Sequence, residues 1–580
     1  MKHFCKVALL ALLLVAAFAV AQTGPNTPFQ HVIIVIQENR TPDNLFGYDL
    51  HELNGQRRLP NAHLVLSGGD VCLGQGQYQT LQSQPLDTCV DPDHSHAASQ
   101  HFSGAWEEMY DNGAMDGACE NNVSGGSCDP CLASHTCPYS YVTNAPVSPD
   151  PYGIVEPYFQ IATNYGYANW MFQTNQGPSF EAHQFLFAGT SAPDAYLDPS
   201  QNCGSAHPCW QWFASELLPP GTQQKYGCIA VQGAVVLEED PNSNESAGYQ
   251  PSGFPFPDNP GWPCYEHPTM SDLLDANSVN WRFYGYSKSQ GELWNAPDAI
   301  AHICQTSGVN GTCTGPDWPG QTGYNGKIVL DPTQVVRDLG VTSVSCNLPP
   351  VSWVIPDGSW SDHPGTPGED GGPSWVAAIV NAVGGYDNSG NKLPLQCNYW
   401  NNTVVLVTWD DWGGFYDDVL PWNCTSTGKC TGYSYGFGQQ YVYGFRVPLL
   451  VVSAWTPPYV SGSSAQPALP YVHDFGSILN FTEWALGQNQ QPLYLTQPGY
   501  GIGPINYPYA DYLAPDAPAS DNKATKYSLS DFFASFSAPP LSFTQIIGAK
   551  YPTSCFTSAT NAKACFPGFP SDPDNDAIDP

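Results

Sequence analysis

Four stretches of the chain gather residue types able to move a phosphoryl group. Glu38 and Asn39 follow directly on the apolar run 32–36. Asp410 and Asp411 close the run 403–408 and precede Trp412-Gly413-Gly414. His363 stands in Ser361-Asp362-His363-Pro364-Gly365, after the run 351–355. Ser179 stands in Gly177-Pro178-Ser179, just before an apolar stretch of helical character. Carboxylate and amide oxygens are hard donors suited to a divalent cation. Two adjacent carboxylates repel, and one is protonated unless a cation lies between them. A hydroxyl at a helix start faces unpaired N–H groups and the positive end of the dipole. Those groups favour its alkoxide and hold phosphoryl oxygens, although the same place also suits a plain capping serine. Imidazoles donate to non-bridging oxygens or protonate a leaving group. A further histidine cluster, His94, His96 and His101, follows Asp91-Pro92-Asp93, and its i, i+2 spacing can aim His94 and His96 at one ligand. Hydroxyl, hard cation and imidazoles together suit phosphoryl transfer through a serine nucleophile. A Ser/His/Asp acyl hydrolase fits less well, because no G-x-S-x-G elbow surrounds Ser179.

The elements that must position these groups are buried strands. The runs 32–36, 351–355, 403–408 and 447–453 are short, apolar and β-branched, as strands covered on both faces require. Ligand sites of open α/β sheets lie off the carboxyl ends of strands, where Glu38/Asn39, His363 and Asp410/Asp411 stand. Spacing predicts helices over 153–174, from Ser179 onward, 373–384 and 475–486, and a terminal helical turn near 529–533. Residues 190–345 are rich in Pro, Gly, Cys, Trp and Asn and read as an insertion and cap over the core.

Composition narrows the class. Lys2, Lys6 and the apolar run 7–20 read as a leader, with Ala19-Val20-Ala21 as a cleavage site and a mature chain from about Gln22. Lys and Arg number 17 against 52 Asp and Glu, a formal net charge of -35, which leaves no basic footprint for a nucleic acid. The same balance opposes adhesion to anionic membranes, so at most transient contact with a membrane surface is expected. Of the 19 cysteines, Cys5 lies in the leader, and an even number remains. In an exported chain these favour disulfides over zinc, including for Cys119, Cys128, Cys131 and Cys137. Cys203/Cys209, Cys304/Cys313, Cys424/Cys430 and Cys555/Cys565 are close enough in sequence to pair. Asn122 and Asn480 stand in N-x-S/T sequons.

With these motifs in order, the sequence resembles the bacterial phosphoesterase family, which contains phosphatidylcholine-type phospholipases C and respiratory-burst-inhibiting acid phosphatases. ENRTPDNLFG (38–47) resembles the family's opening motif, and TWDDWGGFYDDV (408–419) its acidic motif. DPDHSH (91–96), GAMDG (113–117), NQGPSFEAHQFLFAGT (175–190), SDHPG (361–365), GFRVPLLVVSAW (444–455) and HDFGSILNFTEWALG (473–487) extend the likeness over most of the chain. The resemblance implies an α/β, alkaline-phosphatase-like three-layer core with a mostly parallel sheet and a disulfide-rich cap. It implies Glu38, Asn39, Asp410, Asp411 and Ser179 as ligands of a divalent metal, Ser179 as nucleophile, and His94 or His96 with His363 against the phosphoryl group. Two departures stand out. Asp417-Asp418-Val419 replaces a frequent Asp-His-Val, and Glu181-Ala182-His183 replaces a frequent Pro-Asn after the nucleophile.

The expectation is therefore a secreted or periplasmic metal-dependent phosphoesterase, residues 22–580 forming one catalytic domain. Its substrate would be a small phosphate ester or a phospholipid head group. The competing class is a secreted carbohydrate- or surface-binding protein on an inactive core of the same fold, its many Trp and Tyr stacking on sugars.

Overall fold

The computed structural model describes residues 26–567 apart from internal stretches, the longer of which are 49–58, 97–103, 126–135, 192–212, 240–248, 251–261, 462–471 and 494–527. The leader, His101, Asn122, Cys128, Cys131, Cys203 and Cys209 lie outside the described residues.

Eight strands form the central sheet: β1 (His31–Gln37), β2 (Gly166–Ala168), β3 (Trp281–Tyr284), β4 (Ile328–Val329), β5 (Val351–Val354), β6 (Thr403–Trp409), β7 (Leu449–Ser453) and β8 (Tyr459–Ser461). Their order is β4-β3-β5-β1-β6-β7-β2-β8. Every pairing is parallel except those of β7, which runs antiparallel to both neighbours. The sheet is therefore mixed but mostly parallel, as expected. Val32, Ile33, Ile34, Val35 and Ile36 are all buried. Each contributes roughly 1.5–3 kcal/mol of transfer free energy, which is why a purely apolar run is stable here.

Alternation along β3 shows the layers. Trp281 and Phe283 meet Phe187 of α3 (Ser179–Ala188), whose ring also meets Trp353 of β5. Arg282 and Tyr284 point the other way and donate to Asp338 of α5 (Thr333–Asp338), at 2.6 and 2.7 Å. Period-two side chains thus reach helices on both faces, giving three layers. α2 (Glu156–Asn164) packs on α6 (Gly372–Val383) in one layer, and α3 packs on α4 (Met270–Ala276) and α7 (Phe475–Ala485) in the other.

Two expectations change. The helix expected over 153–174 ends at Asn164, because Gly166 starts β2 and the chain enters the sheet beside β7. The stretch 190–345 is more than a cap: β3 and β4, from within it, form one edge of the sheet. Asn480 is buried in α7 and accepts from the Ser528 amide, so the folded chain does not present that sequon.

Six disulfides occur among the described residues. Cys304–Cys313, Cys424–Cys430 and Cys555–Cys565 are the short-range pairs expected. Cys72–Cys119, Cys228–Cys264 and Cys346–Cys397 are long-range. No helix among the described residues is long and apolar enough to cross a membrane.

Within the 190–345 stretch, His302 bridges two carboxylates, Glu266 at 2.7 Å and Asp272 at 3.1 Å. Burial alone would lower its pKa, but the hydrogen bonds to Asp272 and Glu266 outweigh burial and raise it from 6.5 to about 10. A raised imidazole stabilises the fold fully below its unfolded pKa, and that stability is lost as pH climbs through the folded value. Urea midpoints of wild type and His302→Gln should therefore differ most at pH 6 and converge by about pH 10. Parallel midpoint curves over that range would refute the bridge.

Candidate active site

The site is built by the register of two parallel strands. β1 and β6 pair residue for residue from His31↔Thr403 to Gln37↔Trp409. The next residues, Glu38 and Asp410, therefore leave the sheet side by side. The Asp410 amide donates to the Gln37 carbonyl at 2.9 Å, and the Arg40 amide to the Asp411 carbonyl at 3.0 Å, so the two chains stay joined past the sheet. Asn39 turns at φ 60°, a left-handed conformation that Asn tolerates better than most residues. Its amide then donates to Asp410 Oδ1 at 3.1 Å. Gly413, at φ 62°, lies so close that a Cβ there would sit 2.4 Å from the Asn39 carbonyl oxygen. This is the close approach for which the Gly-Gly pair is needed.

Ser179 enters from α3. The N-cap position belongs to Pro178, and Ser179 is the first helical residue. Its hydroxyl is turned to the carboxylates: Oγ lies 3.3 Å from Glu38 Oε2 and 3.2 Å from Asp411 Oδ2. The capping alternative is thereby replaced by an interaction 141 and 232 residues away in sequence. One turn later, His183 Nε2 lies 3.1 Å from Glu38 Oε1 and 3.5 Å from Asp410 Oδ2. His183 was not among the expected site residues. Its i, i+4 spacing from Ser179 puts both on one helix face, and that was the available signal.

The histidines divide. His94 Nδ1 donates to the Pro92 carbonyl at 3.0 Å, which leaves Nε2 to accept from Asn39 Nδ2 at 3.2 Å. The same Nε2 is 4.0 Å from Asp411 Oδ2. His96 instead meets the Trp106 ring at 5.5 Å. Burial lowers His96 to about 4, against a hydrogen bond with Gln176 that raises it, so it is neutral at ordinary pH. His363 lies beside His94, ring centroids 6.3 Å apart, and its Nδ1 donates to the Pro364 carbonyl at 2.7 Å. The structure thus brings Glu38, Asn39, Ser179, Asp410, Asp411, His94 and His363 together and sets His96 against Trp106.

Two buried arginines hold the loops. Arg40 donates to the Asp362 carbonyl through Nε (2.9 Å) and Nη2 (2.6 Å), fixing the loop that carries His363. Arg446 donates to Asp417 Oδ1 at 2.6 Å and to Asp43 Oδ2 at 3.2 Å, tying the acidic loop to α1 (Pro42–Phe46). Asp418, which stands where the family frequently has histidine, meets His63 Nε2 at 3.0 Å, so an imidazole from another segment reaches this place.

The donor set fits a divalent cation. Glu38, His183 and Asp410 each offer a ligand atom, all within 4.8 Å of one another. Asn39 Oδ1 is buried without a partner among the described residues. Burial would raise Asp410, but hydrogen bonds from His183, Glu38 and Ser179 outweigh it and hold its carboxyl at about 2. Glu38, Asp410 and Asp411 bring three carboxyl groups into one buried place, and a bound divalent cation would offset their charge.

Residues 29–484 match the Phosphoesterase family. The chain belongs to that family. Within it, the chain is similar to the hemolytic phospholipase C of Pseudomonas aeruginosa, 23% identical over 488 residues, covering 80% of this chain and 54% of the relative. It is also similar to the non-hemolytic phospholipase C of the same organism, 27% identical over 158 residues, covering 24% of this chain and 20% of the relative. Phospholipase C B of Mycobacterium tuberculosis is 29% identical over 218 residues, 33% of this chain and 35% of the relative. The chain thus spans between a fifth and about half the length of these phosphoesterase relatives.

Arg446 generates the test of this scaffold. Arg446→Leu leaves Asp43 and Asp417 buried without their cation and should cost roughly 3–5 kcal/mol of unfolding free energy in urea titrations. A loss below about 1 kcal/mol would show that the acidic loop does not depend on Arg446.

Proposed function

We propose that the chain is an exported, metal-dependent phosphoric ester hydrolase with Ser179 as nucleophile. The carrying observation is the Ser179 hydroxyl lying between Glu38 and Asp411, at 3.3 and 3.2 Å, on the N-terminal turn of a helix. Ser179 Oγ forms a bond to phosphorus, and the bond from phosphorus to the ester oxygen breaks. The serine proton passes to one of the two carboxylates it already faces. The first backbone amides of α3 stabilise charge on the phosphoryl oxygens. His363, with His94 beside it, protonates the departing alkoxide. Water then attacks the phosphoryl-serine, releases the phosphate product and restores the hydroxyl.

A divalent cation on Glu38, Asn39, Asp410 and Asp411, with Ser179 and the additional donor His183, would lower the hydroxyl pKa and neutralise phosphate charge. The relatives are named phospholipases C, which supports a phospholipid head group as substrate, with a simple monoester as the alternative. The net charge of -35 supports brief contact with a zwitterionic rather than an anionic lipid surface. The disulfides support an oxidising compartment. The intact carboxylate and serine set speaks against an inactive core that only binds sugars.

Two measurements decide the reading. Ser179→Ala should lower kcat on p-nitrophenyl phosphate or p-nitrophenylphosphorylcholine by at least about a thousandfold. Retention of most activity would remove the mechanism. Elemental analysis of the purified protein should find about one divalent metal per chain, and Asp410→Asn should abolish it and lower the Tm gained on adding metal. Equal metal content in both proteins would remove Asp410 as a ligand.

A further inference from the structure

His363 and Trp294 are 6 % and 4 % exposed, while Glu38, Asn39, Ser179, Asp410 and Asp411 are at 0 %. Trp294 belongs to the 190–345 stretch and to none of the motifs above. Its ring lies 6.0 Å from that of His363, tilted by 35°, so the indole covers one side of the imidazole. His363 Nδ1 is spent on the Pro364 carbonyl. The direction of the other ring nitrogen depends on what packs against the ring. The indole N–H of Trp294 is buried and has no hydrogen-bond partner among the described residues. A buried donor of that kind is costly unless something outside the protein accepts from it.

The loop that carries Trp294 is anchored. The Glu292 amide donates to Asp298 Oδ2 at 3.2 Å, and the Asn295 amide to the Glu292 carbonyl at 3.1 Å. The Tyr226 amide donates to the Gly291 carbonyl at 2.8 Å. Gln184, on the same helix as Ser179, donates to the Ala296 carbonyl at 3.4 Å. The indole is thus held in a fixed relation to the nucleophile's helix.

We propose that Trp294 binds the substrate and positions His363: its ring holds the imidazole, and its N–H donates to an oxygen of the bound phosphate ester. The proposal rests on the hydrolase reading above. Phosphate ester oxygens are acceptors, and a donor to a charged oxygen is among the stronger single hydrogen bonds.

The two roles separate by substitution. Trp294→Phe keeps a ring against His363 and removes the N–H. It should raise KM for p-nitrophenyl phosphate roughly tenfold, with kcat within about threefold and an unchanged pH profile. Trp294→Ala removes both, and should in addition lower kcat and shift the limb of the kcat–pH profile set by His363. Should Trp294→Ala fail to fold by circular dichroism, the KM of Trp294→Phe decides. KM within about twofold of wild type for Trp294→Phe overturns the hydrogen bond, and an unshifted profile for folded Trp294→Ala overturns the positioning role. If wild type hydrolyses no phosphate ester, the hydrolase reading fails by itself. Titration calorimetry with inorganic phosphate then tests Trp294 separately. A roughly tenfold weaker affinity in Trp294→Phe supports the donor, and equal affinity, or none in either protein, overturns it.

Discussion

The parallel, in-register pairing of β1 with β6 is the constraint on which the site depends. Ladder bonds between Gln37 and Trp409 carry no chemistry of their own, yet they bring Glu38 and Asp410 out of the sheet as neighbours. A slip of one residue would exchange the side chains that pack on the two helical layers, and the close packing of each face opposes it. The tightly packed interior thus sets the spacing of the carboxylates more firmly than any contact within the site could. Ser179 depends on the same frame, because Phe187 locks α3 against Trp281, Phe283 and Trp353 of the adjoining strands.

That frame concentrates negative charge in a place shielded from water. The fold answers it in two ways. Away from Ser179, Arg446 is spent on Asp43 and Asp417, and burial raises both of those carboxyls while the guanidinium pulls them down. Arg40 engages backbone carbonyls rather than the carboxylates of the site. Around Ser179, histidines stand beside Glu38, Asp410 and Asp411. A permanent guanidinium would occupy the space and the charge that a cation and a phosphate need. Imidazoles can withdraw by giving up a proton.

How much of this was legible depends on the kind of signal each residue carried. Strands covered on both faces must be apolar throughout, so β1, β5, β6 and β7 stand out in the sequence, and with them the residues at their ends. Strands one place in from the margins of the sheet do not. β3 reads Trp-Arg-Phe-Tyr, and its Arg282 is tolerable only because Asp338 waits beneath it, a partner 56 residues on. β2 holds three residues and is a strand only because β7 and β8 flank it. Ser179 was visible as a helix start, but its hydroxyl could be given to capping or to chemistry until its surroundings were known. His183 stands in a departure from the family pattern, and its i, i+4 spacing from Ser179 is the signal that points to it. The choice between His94 and His96 depended on Trp106, whose place beside His96 no local pattern encodes.

The stretch 190–345 changes meaning once β3 and β4 are found inside it. A cap attached by flexible ends could move over the site, whereas this one is rooted in the sheet at β3 and β4 and stitched by Cys228–Cys264 and Cys304–Cys313. The Tyr265 amide, beside Cys264, donates to the Ala299 carbonyl at 2.6 Å, so the cross-linked segment bears directly on the loop of Trp294. Such an arrangement sacrifices adaptability for position. The sheet supplies Glu38, Asp410 and Asp411, and the stretch 190–345 supplies Trp294 beside His363. Changes in that stretch can alter what meets His363 while leaving Glu38, Asp410, Asp411 and Ser179 in place, because the β1–β6 register sets the first three and Phe187 holds the helix of the fourth.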